Sequence, residues 1–167
     1  MKESLTTIEK ALALKELEYF RDATVEQLAE IAGAATELHV EPGDIIVEPT
    51  DPSEHAYALI EGNVVVEREG VVTHVISAGR GFGDLSFTPG ARMGLRIRAM
   101  TEVVALRVSV NDLLEAMLEQ PEIAVGFVRG LSVRLSEMSQ QVAALSRHLQ
   151  DGPPPPAVPA IRPPDSA

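Results

Sequence analysis

The stretch Arg80-Gly81-Phe82-Gly83-Asp84-Leu85-Ser86 carries the residues of this sequence best suited to chemistry. Two glycines flanking one residue permit a tight backbone whose amide groups converge, and converging N–H groups make a seat for an anion. A helical turn starting at Asp84 or Leu85 adds its free N–H groups to that seat. The Asp84 carboxylate can accept a hydrogen bond from a sugar hydroxyl. This stretch opens a window, Arg80 to Arg98, in which Arg80, Arg92, Arg96 and Arg98 stand against one acid, Asp84. The rest of the chain is acidic, with 14 Lys and Arg against 25 Asp and Glu and a net charge of −11. Such a basic island fits an anion site, and it also fits an ordinary solvated strand face. Spacing separates the two for most of the arginines. From Arg92 to Ala99, the apolar residues Met93, Leu95, Ile97 and Ala99 share one face of an extended chain, and Arg92, Arg96 and Arg98 share the other. Burying unpaired guanidiniums costs several kcal/mol each, which disfavours a uniform slip of this strand. A local bulge at Gly94 is the remaining way to aim Arg92 inward.

Other chemistries find no pattern. His39, His55, His74 and His148 do not stand at metal-ligand spacing with one another or with a carboxylate. The absence of cysteine excludes disulfide scaffolds, thiol catalysis, iron–sulfur clusters and cysteine-ligated zinc. No GxSxG elbow supports a serine hydrolase. No catalytic residue and no metal ligand is therefore assigned, and an enzyme is the weakest function class. The acidic balance disfavours non-specific nucleic-acid binding. No uncharged run approaches the ~18 residues of a membrane span, and the charged N-terminus has no apolar signal region. A cytoplasmic protein without a membrane segment is the expectation.

The elements around the glycine loop follow from periodicity. Residues 6–34 read as helical, with Thr24 and Gln27 forming a capping box before Val25, Leu28, Ile31 and Ala32. From Glu37 to Val108 the chain consists of short Val/Ile/Leu runs broken by turn residues such as Pro42-Gly43, Gly62-Asn63 and Glu69-Gly70. Short strands with frequent turns argue a β-sandwich or β-roll over a parallel α/β sheet. Ser109 with Asp112 reads as a second capping box, and Pro121 suits the first turn of a further helix. That helix reaches about Leu149. Its Leu131, Leu135, Met138, Val142, Leu145 and Leu149 are spaced 4, 3, 4, 3, 4, an a/d seam over nearly three heptads. A helix packed on its own domain shows a wider stripe, whereas Ser136, Ser139, Gln140, Gln141 and Ser146 leave the other faces polar. The seam favours a homodimer over intramolecular packing. After Asp151 the sequence GPPPPAVPAIRPPDSA has too little apolar mass to fold and reads as a disordered proline-rich tail.

Taken in order, these features resemble the cyclic-nucleotide-binding domain family, in particular the sensor domain of catabolite-activator-type proteins. The resemblance rests on a helical lead-in, Glu41-Pro42-Gly43-Asp44, a Tyr-x-Leu-Ile-x-Gly run at 57–62, the glycine loop, Arg98-Ala99 leading into Val103 to Leu106, a short helix, Pro121 and a long helix. It implies an α+β fold, an antiparallel β-roll of about eight strands (double-stranded β-helix, jelly-roll-like) flanked by N-terminal helices and a long C-terminal helix. The parts fall at 1–35, 36–108, 109–150 and 151–167. The resemblance makes Phe82-Gly83-Asp84-Leu85-Ser86 the counterpart of the family's phosphate-binding cassette, usually F-G-E-L-A. Gly83 and Ser86 then offer donors to a cyclic phosphate. Asp84 takes the place of a glutamate that holds the ribose 2′-hydroxyl, one methylene shorter. Ser139 matches a hydroxyl that meets the purine.

Two departures qualify that implication. The DNA-reading helix-turn-helix of the activators has no counterpart here. The family's Arg-Ser or Arg-Thr after the cassette falls on Met93 and Gly94, with Arg92 one residue early. The expected function is a regulatory module that binds cyclic AMP or cyclic GMP weakly, or another small anion, with no cofactor. The alternatives are a ligand-free, dimerising β-roll scaffold for a protein partner and, remotely, a small β-roll enzyme.

Overall fold

A computed structural model describes residues 4–52, 54–83 and 94–150. Two capped helices lead into the sheets. α1 (Thr7–Lys15) begins at Thr6, whose side chain and that of Glu9 cap each other's backbone amides. α2 (Val25–Ala34) begins in the same way with Thr24 and Gln27, as the capping pattern requires. Helix does not run unbroken from 6 to 34. Between α1 and α2 the bonds Leu17 N to Leu14 O, Phe20 N to Leu17 O and Ala23 N to Phe20 O make successive tight turns. The reason lies in the apolar spacing: Ala11, Leu14, Leu17, Tyr19, Phe20 and Ala23 are all buried, and on a continuous helix these six would point all round its circumference.

Eight strands follow: β1 (Thr36–Val40), β2 (Ile45–Val47), β3 (His55–Glu61), β4 (Asn63–Arg68), β5 (Val71–Ser77), β6 (Gly81–Phe82), β7 (Leu95–Ala99) and β8 (Val103–Ser109). They form two four-stranded antiparallel sheets, ordered β1-β8-β3-β6 and β2-β7-β4-β5. This is the α+β antiparallel roll expected from the sequence. The β4–β5 turn holds Glu69 (φ 51°) and Gly70 (φ 79°), the left-handed pair that a two-residue hairpin demands.

Alternation on the first sheet divides the core. Leu59, Phe82, Val103 and Ala105 point between the sheets with Val47, Val64, Val66, Ile76, Ile97 and Ala99. Ala58, Leu106 and Val108 point the other way, against Leu14, Leu28, Ile31, Leu113, Ile123 and Phe127. On β7, Ile97 and Ala99 are buried and Leu95 packs on the inner cluster, which is the face alternation assigned to them.

α3 (Val110–Glu119) starts at Ser109, whose hydroxyl accepts from the Asn111 amide; the reciprocal box with Asp112 does not form. α4 runs Pro121–Gln150 with proline at its first position. The chain comprises two compact units, Met1–Ser132 and Val133–Ala167. In the second unit Leu135, Met138, Val142 and Leu145 are 56–69% exposed, and Leu131 at the end of the first is 36% exposed. The proline-rich tail lies outside the described residues. No helix among the described residues is long and apolar enough to cross a membrane.

Candidate functional site

The stem of the glycine loop is built by close approach. A Cβ on Gly83 would stand 2.7 Å from the His55 carbonyl oxygen and 3.1 Å from Ala56 Cα, and its φ of +87° is left-handed. Only glycine satisfies both conditions. A Cβ on Gly81 would meet Tyr19 Cε2 at 3.0 Å and the Tyr57 carbonyl oxygen at 3.3 Å. Both glycines are therefore packing requirements as well as backbone freedom. Phe82 between them is 3% exposed and anchors the stem in the inner cluster. Its ring stacks flat on that of Tyr57, centroids 4.7 Å apart and planes 7° from parallel. A row Thr36, Arg107, Tyr57, Phe82 crosses the first sheet from β1 to β6. Burial raises the Tyr57 phenol above its ordinary value; Asp51 pushes the same way and Arg107 opposes.

The loop returns at Gly94, whose φ of +59° interrupts regular extended backbone where the sequence allowed a bulge. Asp84, Leu85, Ser86, Arg92 and Met93 lie outside the described residues. Phe82, Gly83 and Gly94 are thus the site residues whose geometry is described at the loop. Ser139 is exposed on α4 in the second unit.

The described arginines of the basic island, Arg80, Arg96 and Arg98, are in ion pairs. Arg96 Nε bonds Glu48 Oε2 at 3.2 Å, and Arg98 Nη2 bonds Glu67 Oε1 at 2.6 Å. Arg80 Nη2 lies 3.5 Å from Glu18 Oε2, while Glu18 Oε1 is buried without a hydrogen-bond partner among the described residues. The outward faces of β4 and β7 account for Arg96 and Arg98 as structural cations, as their alternation implies. Among the described residues no three His, Asp or Glu side chains come together to hold a metal ion.

Residues 37–120, half of the chain, match the family described as cyclic nucleotide-binding domain. The chain belongs to that family. The global nitrogen regulator of Synechococcus elongatus is 29% identical over 113 residues, covering 64% of this chain and 51% of the regulator. Human cyclic nucleotide-gated channel alpha-2 is 31% identical over 117 residues, covering 65% of this chain and 18% of the channel. The chain thus spans about half of one relative and under a fifth of the other.

Its fold is shared with the Thermus thermophilus catabolite activator protein, at a TM-score of 0.66 and 19% identity, covering 77% of this chain and 63% of that one. The sensor domain of the transcriptional regulator DNR from Pseudomonas aeruginosa aligns at a TM-score of 0.66 and 18% identity, covering 77% and 90%.

Proposed function

We propose that this cyclic nucleotide-binding domain is a regulatory module that takes a small phosphate-bearing ligand at its glycine loop and holds cyclic AMP and cyclic GMP weakly. The observation that carries the reading is Gly83. Its backbone lies flush on β3 with no room for a side chain, and it is the second residue of the stretch that resembles the family's cassette. In this reading Phe82, Gly83, Asp84, Leu85 and Ser86 form the ligand seat, with Gly83 and Ser86 donating to phosphate and Asp84 accepting from a sugar hydroxyl. Arg92, Met93 and Gly94 border it, and Ser139 is the residue that the resemblance matches to a purine-contacting hydroxyl. Affinity is weak because Met93 stands where the family carries arginine. A hydrogen bond to a charged group is worth about 1.5–3 kcal/mol, so its loss weakens binding by roughly 10- to 150-fold. The relatives include a regulator, channels and a protein kinase, and the match covers 51%, 18% and 12% of them, which supports a sensing module shared by proteins of different output.

A homodimer through Leu131, Leu135, Met138, Val142, Leu145 and Leu149 accompanies this reading. Its support is the exposure of the described seam side chains, an apolar stripe that a lone helix leaves in water. The same stripe also favours the second reading, a dimerising scaffold for a protein partner that needs no ligand. Calorimetric titration of the full chain with cyclic AMP and cyclic GMP tests the choice. Weak saturable heats are expected. Submicromolar affinity overturns the weak-binding claim, and no binding, with no anion co-purifying by mass spectrometry, favours the scaffold.

A further inference from the structure

A half-enclosed cavity of about 30 Å³ lies between the first sheet and the helices that cover its outer face. Its floor is formed by β3 and β6, where Ala58 pairs with Gly81 and Ala56 stands two residues away on the same face. Leu17 and Phe20 of the α1–α2 linker, Leu113 of α3 and Phe127 of α4 enclose it. The space stays open because its floor residues are small. Gly81 has no room to grow, since a Cβ there would meet Tyr19 Cε2 at 3.0 Å. Close-packed interiors keep few voids larger than a water molecule, which sets this one apart from the rest of the core. Among the described lining residues the only polar side-chain atoms are the hydroxyls of Tyr19 and Tyr57. The backbone of the floor is paired within the sheet, from Ala56 to Val108 and from Ala58 to Leu106 and Gly81. A buried water needs roughly two to four polar partners, so the cavity favours an apolar occupant over water.

We propose that this cavity is a ligand site apart from the glycine loop, one that takes a small apolar molecule of the size of a diatomic gas. Size sets the class. An apolar cavity of roughly 150 Å³ admits benzene, and about 30 Å³ leaves room for a single large atom or a diatomic. Such an occupant has no hydrogen bonds to make, and entering the cavity removes its apolar surface from water. Position gives the site its consequence. Gly81 and Phe82, the stem of the glycine loop, line the cavity, and so does Tyr19, whose ring stacks on Phe127 of α4 at 4.8 Å. An occupant therefore touches the loop stem and the linker–helix contact at once. The site stands whether or not the loop takes a phosphate.

The test is methyl and amide NMR of the full, isotope-labelled chain under increasing xenon pressure, xenon being an apolar atom that enters dry cavities. The methyl resonances of Leu17, Ala58, Val108 and Leu113 and the Gly81 amide are expected to move saturably. Those of Val64, Val66 and Ile97, in the cluster between the sheets, should stay in place. Ala58→Val fills part of the space and should abolish the saturable movement, with circular dichroism checking that the variant is folded. Ala56→Val serves the same purpose where Ala58→Val does not fold. The unmutated chain also decides on its own. Shifts that grow linearly with pressure, or that spread equally to Val64, Val66 and Ile97, mean that xenon merely dissolves in the core, and the inference falls. It falls as well if a folded filling variant takes up xenon as the unmutated chain does.

Discussion

Gly130 on α4 lies directly over the backbone of Tyr19: a Cβ there would stand 2.5 Å from Tyr19 Cδ1, 2.9 Å from its Cα and 3.1 Å from its nitrogen. One turn earlier, a Cβ on Gly126 would meet the Tyr19 carbonyl oxygen at 3.0 Å. Phe127 between them stacks on the Tyr19 ring at 4.8 Å. The two glycines form a notch in α4 that admits the linker between α1 and α2. Tyr19 in turn touches Gly81 at the loop stem, so one side chain bridges the helix and the stem.

This contact gives opposite outcomes for two helical glycines. Gly130→Ala should destabilise the protein by about 1–3 kcal/mol, because backbone atoms of Tyr19 have to give way. Gly33→Ala on α2 adds a Cβ with nothing within 4 Å. It should stabilise by about 0.5–1 kcal/mol through helix propensity and a less flexible unfolded chain. Thermal or urea unfolding of both variants measures the difference. A neutral Gly130→Ala would show that the notch relaxes without cost.

The seam on α4 predicts assembly. Leu135→Asp with Val142→Asp should leave a folded monomer where the unmutated chain is a dimer, read by light scattering alongside circular dichroism. Each buried leucine contributes roughly 1.5–3 kcal/mol, so two charged substitutions outweigh a modest interface. A monomeric unmutated chain at high concentration would rule out self-association through this face.

Acid should release the N-terminal arm. Glu37 Oε2 accepts from the Leu5 amide at 2.8 Å and from the Ser4 hydroxyl at 3.0 Å, and Oε1 lies 2.7 Å from His39 Nε2. The Leu5 bond is the main reason its pKa falls below the usual 4.5; burial opposes, and the His39 and Ser4 bonds assist. A carboxylate with a lowered folded pKa stabilises fully above its unfolded pKa and loses that contribution as pH falls through the folded value. Leu5 amide exchange should therefore quicken only below the ordinary carboxylate range. Glu37→Gln should remove this pH dependence, and an unchanged exchange profile in that variant would refute the assignment.

Restoring the family's cation should strengthen ligand binding. Met93→Arg is expected to raise cyclic AMP affinity by roughly 10-fold or more, from one added charge-assisted hydrogen bond. Calorimetry on the full chain reads this directly. No gain would mean that the position does not face the phosphate.

Much of this molecule was legible in order along the chain. The period-2 pattern from Leu95 to Ala99 assigned Ile97 and Ala99 to the core and Arg96 and Arg98 to the outside, because alternation is a local property of extended backbone. The Thr24–Gln27 box and the Glu69-Gly70 turn were equally local. β2 and β6 were harder, since strands of three and two residues carry little periodic signal.

The partners of the arginines were decided only by the tertiary structure. Glu48 for Arg96, Glu67 for Arg98 and Glu18 for Arg80 come from distant parts of the chain and meet only once the strands and linker are set. The loop glycines show the same division. Their presence in Arg80-Gly81-Phe82-Gly83 announced a tight turn, but the His55 carbonyl that excludes a side chain at Gly83 is twenty-eight residues away. Spacing along a chain determines which faces are apolar and where it turns; which charges meet depends on strand pairing, and pairing is a property of the whole fold.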